Sequence, residues 1–149
     1  MNEIYLIRHG LIDDKTLTLD SDGINFANDL LETFKDIGIN FLASSETPRC
    51  VETILPVANM KQLNIQIFNK IEFLNLIPLS NCLLHTTTKS IICYRIEEIN
   101  PILQFINYPI FTDENRDTAY EKIIHLYLNG SRIANSIELK TGYSKKRNR

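Results

Sequence analysis

"IYLIRHG", residues 4–10, sets four apolar, strand-favouring side chains against an arginine, a histidine and a glycine. A short continuous apolar run is what a central strand covered on both faces requires, and Gly10 punctuates its end. A strand that stops at Arg8 and His9 presents both at the carboxyl end of a sheet, the edge where open α/β folds bind ligands.

Working outward, "GINFANDLLETFKDIG" places Ile24, Ala27, Leu30, Leu31 and Phe34 at helical spacing and ends at Gly38. "INFLASS" reads as a second strand. "ETPRCVETILPVANMKQ" reads as a second helix, capped by Ser45 or Thr47 with Pro48 in its first turn. Further on, "NIQIFNKI" and "SIICYR" have strand character, and "RIEEINPILQFI" and "DTAYEKIIHLYL" read as helices, the first holding or bending at Pro101. Alternation of this kind predicts an α/β fold, a three-layer α/β/α sandwich with a mostly parallel sheet.

The composition allows one domain. In 149 residues, 44% hydrophobic content supplies a core and 23% charged residues keep a polar surface. We expect a single domain over residues 1–142, followed at 143–149 by a basic, solvated tail that includes Lys145 to Arg149. The formal net charge of −2 argues against a nucleic-acid binder. Cys50, Cys82 and Cys93 have no metal-ligand spacing and leave one thiol over in any disulfide scheme. The chain shows neither a signal-peptide pattern nor an apolar run of membrane-spanning length, so a cytoplasmic protein without membrane contact is expected.

Arg49 falls in the first turn of the helix after "INFLASS", so it too belongs at the carboxyl edge. If the two strands are neighbours, Arg8, His9 and Arg49 converge. Two guanidiniums offer forked donors matched to phosphate oxygens, and a helix N-terminus adds backbone N–H groups. An imidazole between them is placed to attack phosphorus.

These residues carry a resemblance. "LIRHG", then Leu19 and Gly23, then Ser44, Ser45, Arg49, Glu52 and Thr53 resemble the three opening boxes of the histidine phosphatase superfamily (phosphoglycerate mutase-like, branch 1), in order and at family spacing. Asp20 stands where threonine is common, and Cys50 where alanine is usual. The resemblance covers roughly the first 55 residues. It implies a phosphatase in which His9 takes the phosphoryl group while Arg8 and Arg49 bind its oxygens. The nucleophile is then a neutral imidazole with one nitrogen free and the other bonded, commonly to a backbone carbonyl. It implies no cofactor and no metal, and a phosphorylated small molecule or phosphoprotein as substrate.

The second half departs from the family pattern. Where relatives carry a second histidine after a late apolar strand, the chain has Arg95. Either Arg95 still binds phosphate and supports turnover, or it leaves a catalytically impaired phosphate-binding pseudoenzyme. His125, read as helical, is expected to pack or face solvent. His85 is out of register with the missing box. Glu97 and Glu98 are expected on an exposed helix face, pairing with Arg95 or nearby lysines. By resemblance Glu72 is the general acid, with the loop acids Asp13 and Asp14 as weaker candidates. Only a compact connection separates Arg49 from Arg95, which favours an open pocket and hydrolysis over mutase chemistry.

Overall fold

The computed structural model describes residues 2–69, 89–129 and 132–142. Glu72, Cys82, His85 and the basic segment 143–149 lie outside the described residues.

A six-stranded mixed sheet runs β3-β2-β4-β1-β5-β6. Its strands are β1 (Asn2–Arg8), β2 (Phe41–Ser45), β3 (Ile65–Phe68), β4 (Lys89–Tyr94), β5 (Lys122–Asn129) and β6 (Arg132–Lys140). The first four are mutually parallel, whereas β5 runs antiparallel to both β1 and β6. Helices α1 (Ser21–Phe34) and α2 (Pro48–Lys61) cover one face, and α3 (Ile96–Phe105) covers the other. Neighbouring residues of β1 serve opposite layers. Ile4 and Leu6 pack with Ile99, Ile102 and Leu103 of α3, while Tyr5 and Ile7 pack with Phe26, Leu30 and Ile54 of the other pair. This double covering is why β1 shows no polar alternation.

Local chemistry sets the helix starts. The Asp20 carboxylate accepts the Gly23 N–H at 2.8 Å and caps α1. Pro48 takes the first helical position of α2, where a missing N–H costs nothing. In α1, Phe26 is buried and the expected core residue Ile24 is 50% exposed, because the buried stripe runs through Gly23, Phe26, Ala27, Leu30 and Phe34. Gly23 itself must be glycine: a Cβ there would run into the Leu11 carbonyl, and a Cβ on Gly10 would meet Gly23 Cα at 2.9 Å. That close approach seats the N-terminus of α1 against the loop that follows β1.

"DTAYEKIIHLYL" corrects the helix expected there. It forms a 3-10 turn over Arg116–Glu121 and then strand β5. Ile124, Leu126 and Leu128 face the α3 layer while Ile123 joins the α1/α2 layer. A strand apolar on both faces loses its period of two and mimics a buried helix in sequence. His125 accordingly lies on β5 opposite Tyr5, stacked on that ring at 3.9 Å and 3.1 Å from the Glu3 carboxylate. Strand β6 was not foreseen. Among the described residues no helix is long and apolar enough to cross a membrane.

Candidate active site

Strand order brings the sequence candidates together. β4 lies between β1 and β2, with Arg8 in register with Tyr94 and Ser44 with Cys93. The three strands therefore end at one level, and the residues just beyond, His9, Arg95 and the start of α2, share one edge. The His9 N–H to Tyr94 carbonyl contact, 3.4 Å, continues the ladder one step further. Thr53 ties β1 to α2: its hydroxyl accepts the Gly10 N–H at 2.9 Å and donates to the Arg49 carbonyl at 2.7 Å.

A cavity of about 170 Å³ opens at this edge, walled by Arg8, His9, Arg49 and Arg95 together with Asp14, Glu97, Arg116 and Tyr120. Four guanidiniums thus face two carboxylates, an arrangement that selects anions. The volume is well under the roughly 300–1,000 Å³ typical for drug-sized ligands, so the cavity suits a compact charged group. A larger groove of about 810 Å³, between the end of α3 and β6, contains none of these residues.

His9 is 4% exposed, and its Nδ1 is 2.8 Å from the Gly10 carbonyl. A carbonyl only accepts, so Nδ1 carries the proton and Nε2 keeps its lone pair. Burial above all, then the charges of Arg8 and Arg49, outweigh the Gly10 bond and Glu97 and push the imidazole pKa down to about 3. The ring is therefore neutral at every pH above mild acid.

This depressed value links to stability. Between about pH 3 and the ordinary imidazole value near 6.5, the unfolded chain binds a proton on His9 that the folded chain refuses. Stability from this group is full above that window and is lost as pH falls through it. His9→Asn is expected to flatten the fall in unfolding free energy between about pH 7 and pH 4.5 by on the order of 2 kcal/mol. Urea denaturation of both proteins at the two pH values measures it; equal slopes would refute the buried neutral imidazole.

Arg8 is 7% exposed and anchored on one side: its Nη1 donates to the Arg116 carbonyl at 2.7 Å and lies 3.9 Å from Asp117. Its guanidinium carbon sits 3.9 Å from the centre of the Tyr120 ring. Arg49 lines the cavity with its Nε buried and without a hydrogen-bond partner among the described residues.

Arg95 occupies the N-cap of α3. Glu98, expected on an exposed face, is instead fully buried beneath it. The Glu98 carboxylate accepts the Arg95 backbone N–H at 2.9 Å, lies 3.3 Å from Nε and 3.5 Å from Nη2. Half of a capping box thereby also holds the arginine side chain. Glu97 is exposed, as expected, but pairs with Arg116 at 3.5 Å. Burial raises its carboxyl, yet its own backbone N–H and the charges of Arg95 and Arg116 outweigh that and leave it below the ordinary carboxylate range.

The two loop acids separate. Asp13 accepts the backbone N–H groups of Lys15 and Thr16 at 2.7 and 3.1 Å and is a turn former, whereas Asp14 lines the cavity. Arg116 and Tyr120 were missed in the sequence, since nothing local marks residues that reach Arg8 across 108 positions.

Residues 4–73 match the model of the histidine phosphatase superfamily (branch 1). No curated protein matches the sequence. Among solved structures, the alpha-ribazole phosphatase from Shigella flexneri is similar over 93% of this chain and 95% of its own, with a TM-score of 0.66 and 13% identity. A phosphoserine phosphatase from Entamoeba histolytica in complex with 3-phosphoglyceric acid matches over 97% and 98%, with a TM-score of 0.59 and 12% identity. A mycobacterial glucosyl-3-phosphoglycerate phosphatase matches over 93% and 97%, at 0.57 and 9%. Over residues 4–73, just under half of the chain, the sequence thus resembles the histidine phosphatase superfamily (branch 1), and along nearly its whole length the chain shares the fold of these phosphatases.

Proposed function

We propose that the protein is a metal-independent phosphatase that hydrolyses phosphomonoesters or phosphoproteins through a phosphohistidine on His9. The observation that carries this reading is the buried, neutral imidazole whose proton is fixed on Nδ1, set in a small cavity with four guanidiniums. Nε2 attacks phosphorus, the ester P–O bond breaks, and the leaving oxygen takes a proton. Water then displaces phosphate from the ring and restores the imidazole. Arg8 and Arg49 bind the non-bridging oxygens, where charge builds in the transition state, and Arg95 adds to them from the β4 edge. The guanidiniums supply the positive charge that this step needs.

The cavity takes a phosphoryl group and leaves most of a leaving group outside, which fits an ester of varied size. The relatives' own substrates, a phosphorylated ribazole and phosphoserine by their names, belong to this chemical class. Of the carboxyls at the cavity, Glu97 is held ionised and is a poor proton donor. Asp14 is the other described one; Glu72 keeps the role that the resemblance gives it. Arg95 supports a second reading, a phosphate-binding pseudoenzyme, because its charge is already matched by Glu98.

The test is to mix the protein with an aryl phosphate, quench in alkali, and search the peptide containing His9 for a phosphoryl adduct that acid removes. Turnover with the adduct is the expected result. Turnover without it overturns the mechanism, and phosphate binding with neither adduct nor turnover selects the pseudoenzyme.

A further inference from the structure

The way Arg8 is held points to a residue outside the three opening boxes. Its guanidinium has two edges and two faces. One edge, Nη1, is anchored on the Arg116 carbonyl and near Asp117, and one face is covered by the Tyr120 ring at 3.9 Å. The Nε of the other edge is buried and has no hydrogen-bond partner among the described residues. That edge, Nε with Nη2, is the fork that receives two oxygens of a phosphate side by side.

Three of these contacts come from one short element, the 3-10 turn over Arg116–Glu121. The same turn brings the Tyr120 ring edge-on to His9 at a centroid distance of 5.8 Å. The Arg116 side chain reaches Glu97 in the first turn of α3, linking the turn to the opposite wall of the cavity. Tyr120 is buried, so its ring is a fixed surface.

We propose that Tyr120 is a positioning residue that orients Arg8 through the face of its ring, so that the edge carrying the unpartnered Nε meets the phosphoryl oxygens. This rests on the phosphatase reading for its functional meaning, but the orientation itself is a property of the protein without ligand. A long side chain left free at Arg8 would lose rotamer entropy each time phosphate bound; a stacked and anchored one has already lost it.

The test uses Tyr120→Phe, which keeps the ring, and Tyr120→Leu, which removes it. Inorganic phosphate affinity is read by calorimetry, and the Arg8 side chain by its Nε–H and Cδ–H resonances in the absence of phosphate. Tyr120→Phe is expected to hold phosphate within about threefold of wild type and to keep the ring-current shift on the Arg8 Cδ protons. Tyr120→Leu is expected to weaken phosphate about tenfold and to lose that shift. Equal affinities in all three proteins, or equal losses in Phe and Leu, overturn the role of the ring face. Should Tyr120→Leu fail to fold, Tyr120→Met fills the same space without a ring, and a phosphate affinity equal to wild type there overturns the role of the ring face. If wild type binds no phosphate yet shows the ring-current shift, the phosphatase reading fails while the orientation of Arg8 stands; absence of the shift in wild type overturns the inference itself.

Discussion

His9→Ala is expected to lower kcat for an aryl phosphate by on the order of 10⁶-fold, the scale seen when a covalent nucleophile is removed from an otherwise intact site. On the proposed mechanism the whole path runs through one atom. Nε2 is the lone pair left once Nδ1 bonds to Gly10, and no second histidine among the described residues reaches the cavity, since His125 is stacked on Tyr5 in β5. On the proposed mechanism the loss falls in kcat, because Arg8, Arg49 and Arg95 would still hold the phosphate. Steady-state rates of both proteins, purified side by side, measure it. A variant retaining more than about a tenth of wild-type kcat would mean that the arginine cluster activates water directly, and His9 would then be a wall of the cavity and not its nucleophile.

How far this site was legible in the chain depends on how local each signal is. Arg8, His9 and Gly10 announce themselves because a doubly covered strand must be apolar throughout, so charged residues at its end stand out. Arg49 follows from the same rule applied to the next strand and helix. Tyr120 and Arg116 carry no such mark. They reach the site only because β5 pairs with β1, and that pairing was hidden when "KIIHLYL", apolar toward both layers, imitated a helix. Glu98 is a different failure. Read as half of an exposed acidic pair, it is in fact the third residue of α3, where an acid reaches back to the N-cap backbone. The spacing Arg95 to Glu98 held that capping signal, and the arginine at the cap obscured it.

Arg49 and Arg95 face the same cavity, yet their removal is expected to differ sharply. Arg95 already has a carboxylate: Glu98, buried, lies 3.3 Å from its Nε and fixes it at the start of α3. Burial lowers the Arg95 pKa, but the Glu98 bond and charge outweigh this and leave it raised, as a guanidinium matched to an anion should be. The net field it adds toward a phosphate is correspondingly small. Arg49, by contrast, has no carboxylate paired with it among the ion pairs of the described residues, although the buried Nε of both arginines lacks a hydrogen bond there. Its charge is available when phosphoryl oxygens arrive, and it sits in the first turn of α2, where backbone N–H groups reinforce it. Arg49→Gln is therefore expected to lower kcat/KM by about 10²- to 10³-fold, the cost of removing one preorganised donor at developing charge. Arg49→Lys should recover little of it, since an ammonium lacks the fork. Arg95→Gln should cost about tenfold or less in kcat/KM, because the Arg95–Glu98 pair adds little net field toward the phosphate; the buried Glu98 left without its partner should show instead as a lowered melting temperature. Steady-state kinetics of the three variants, with thermal melts to confirm folding, decide between them. A larger loss at Arg95 than at Arg49 would show that Arg95 has taken over the work of the missing second histidine, and that its pairing with Glu98 opens when substrate binds.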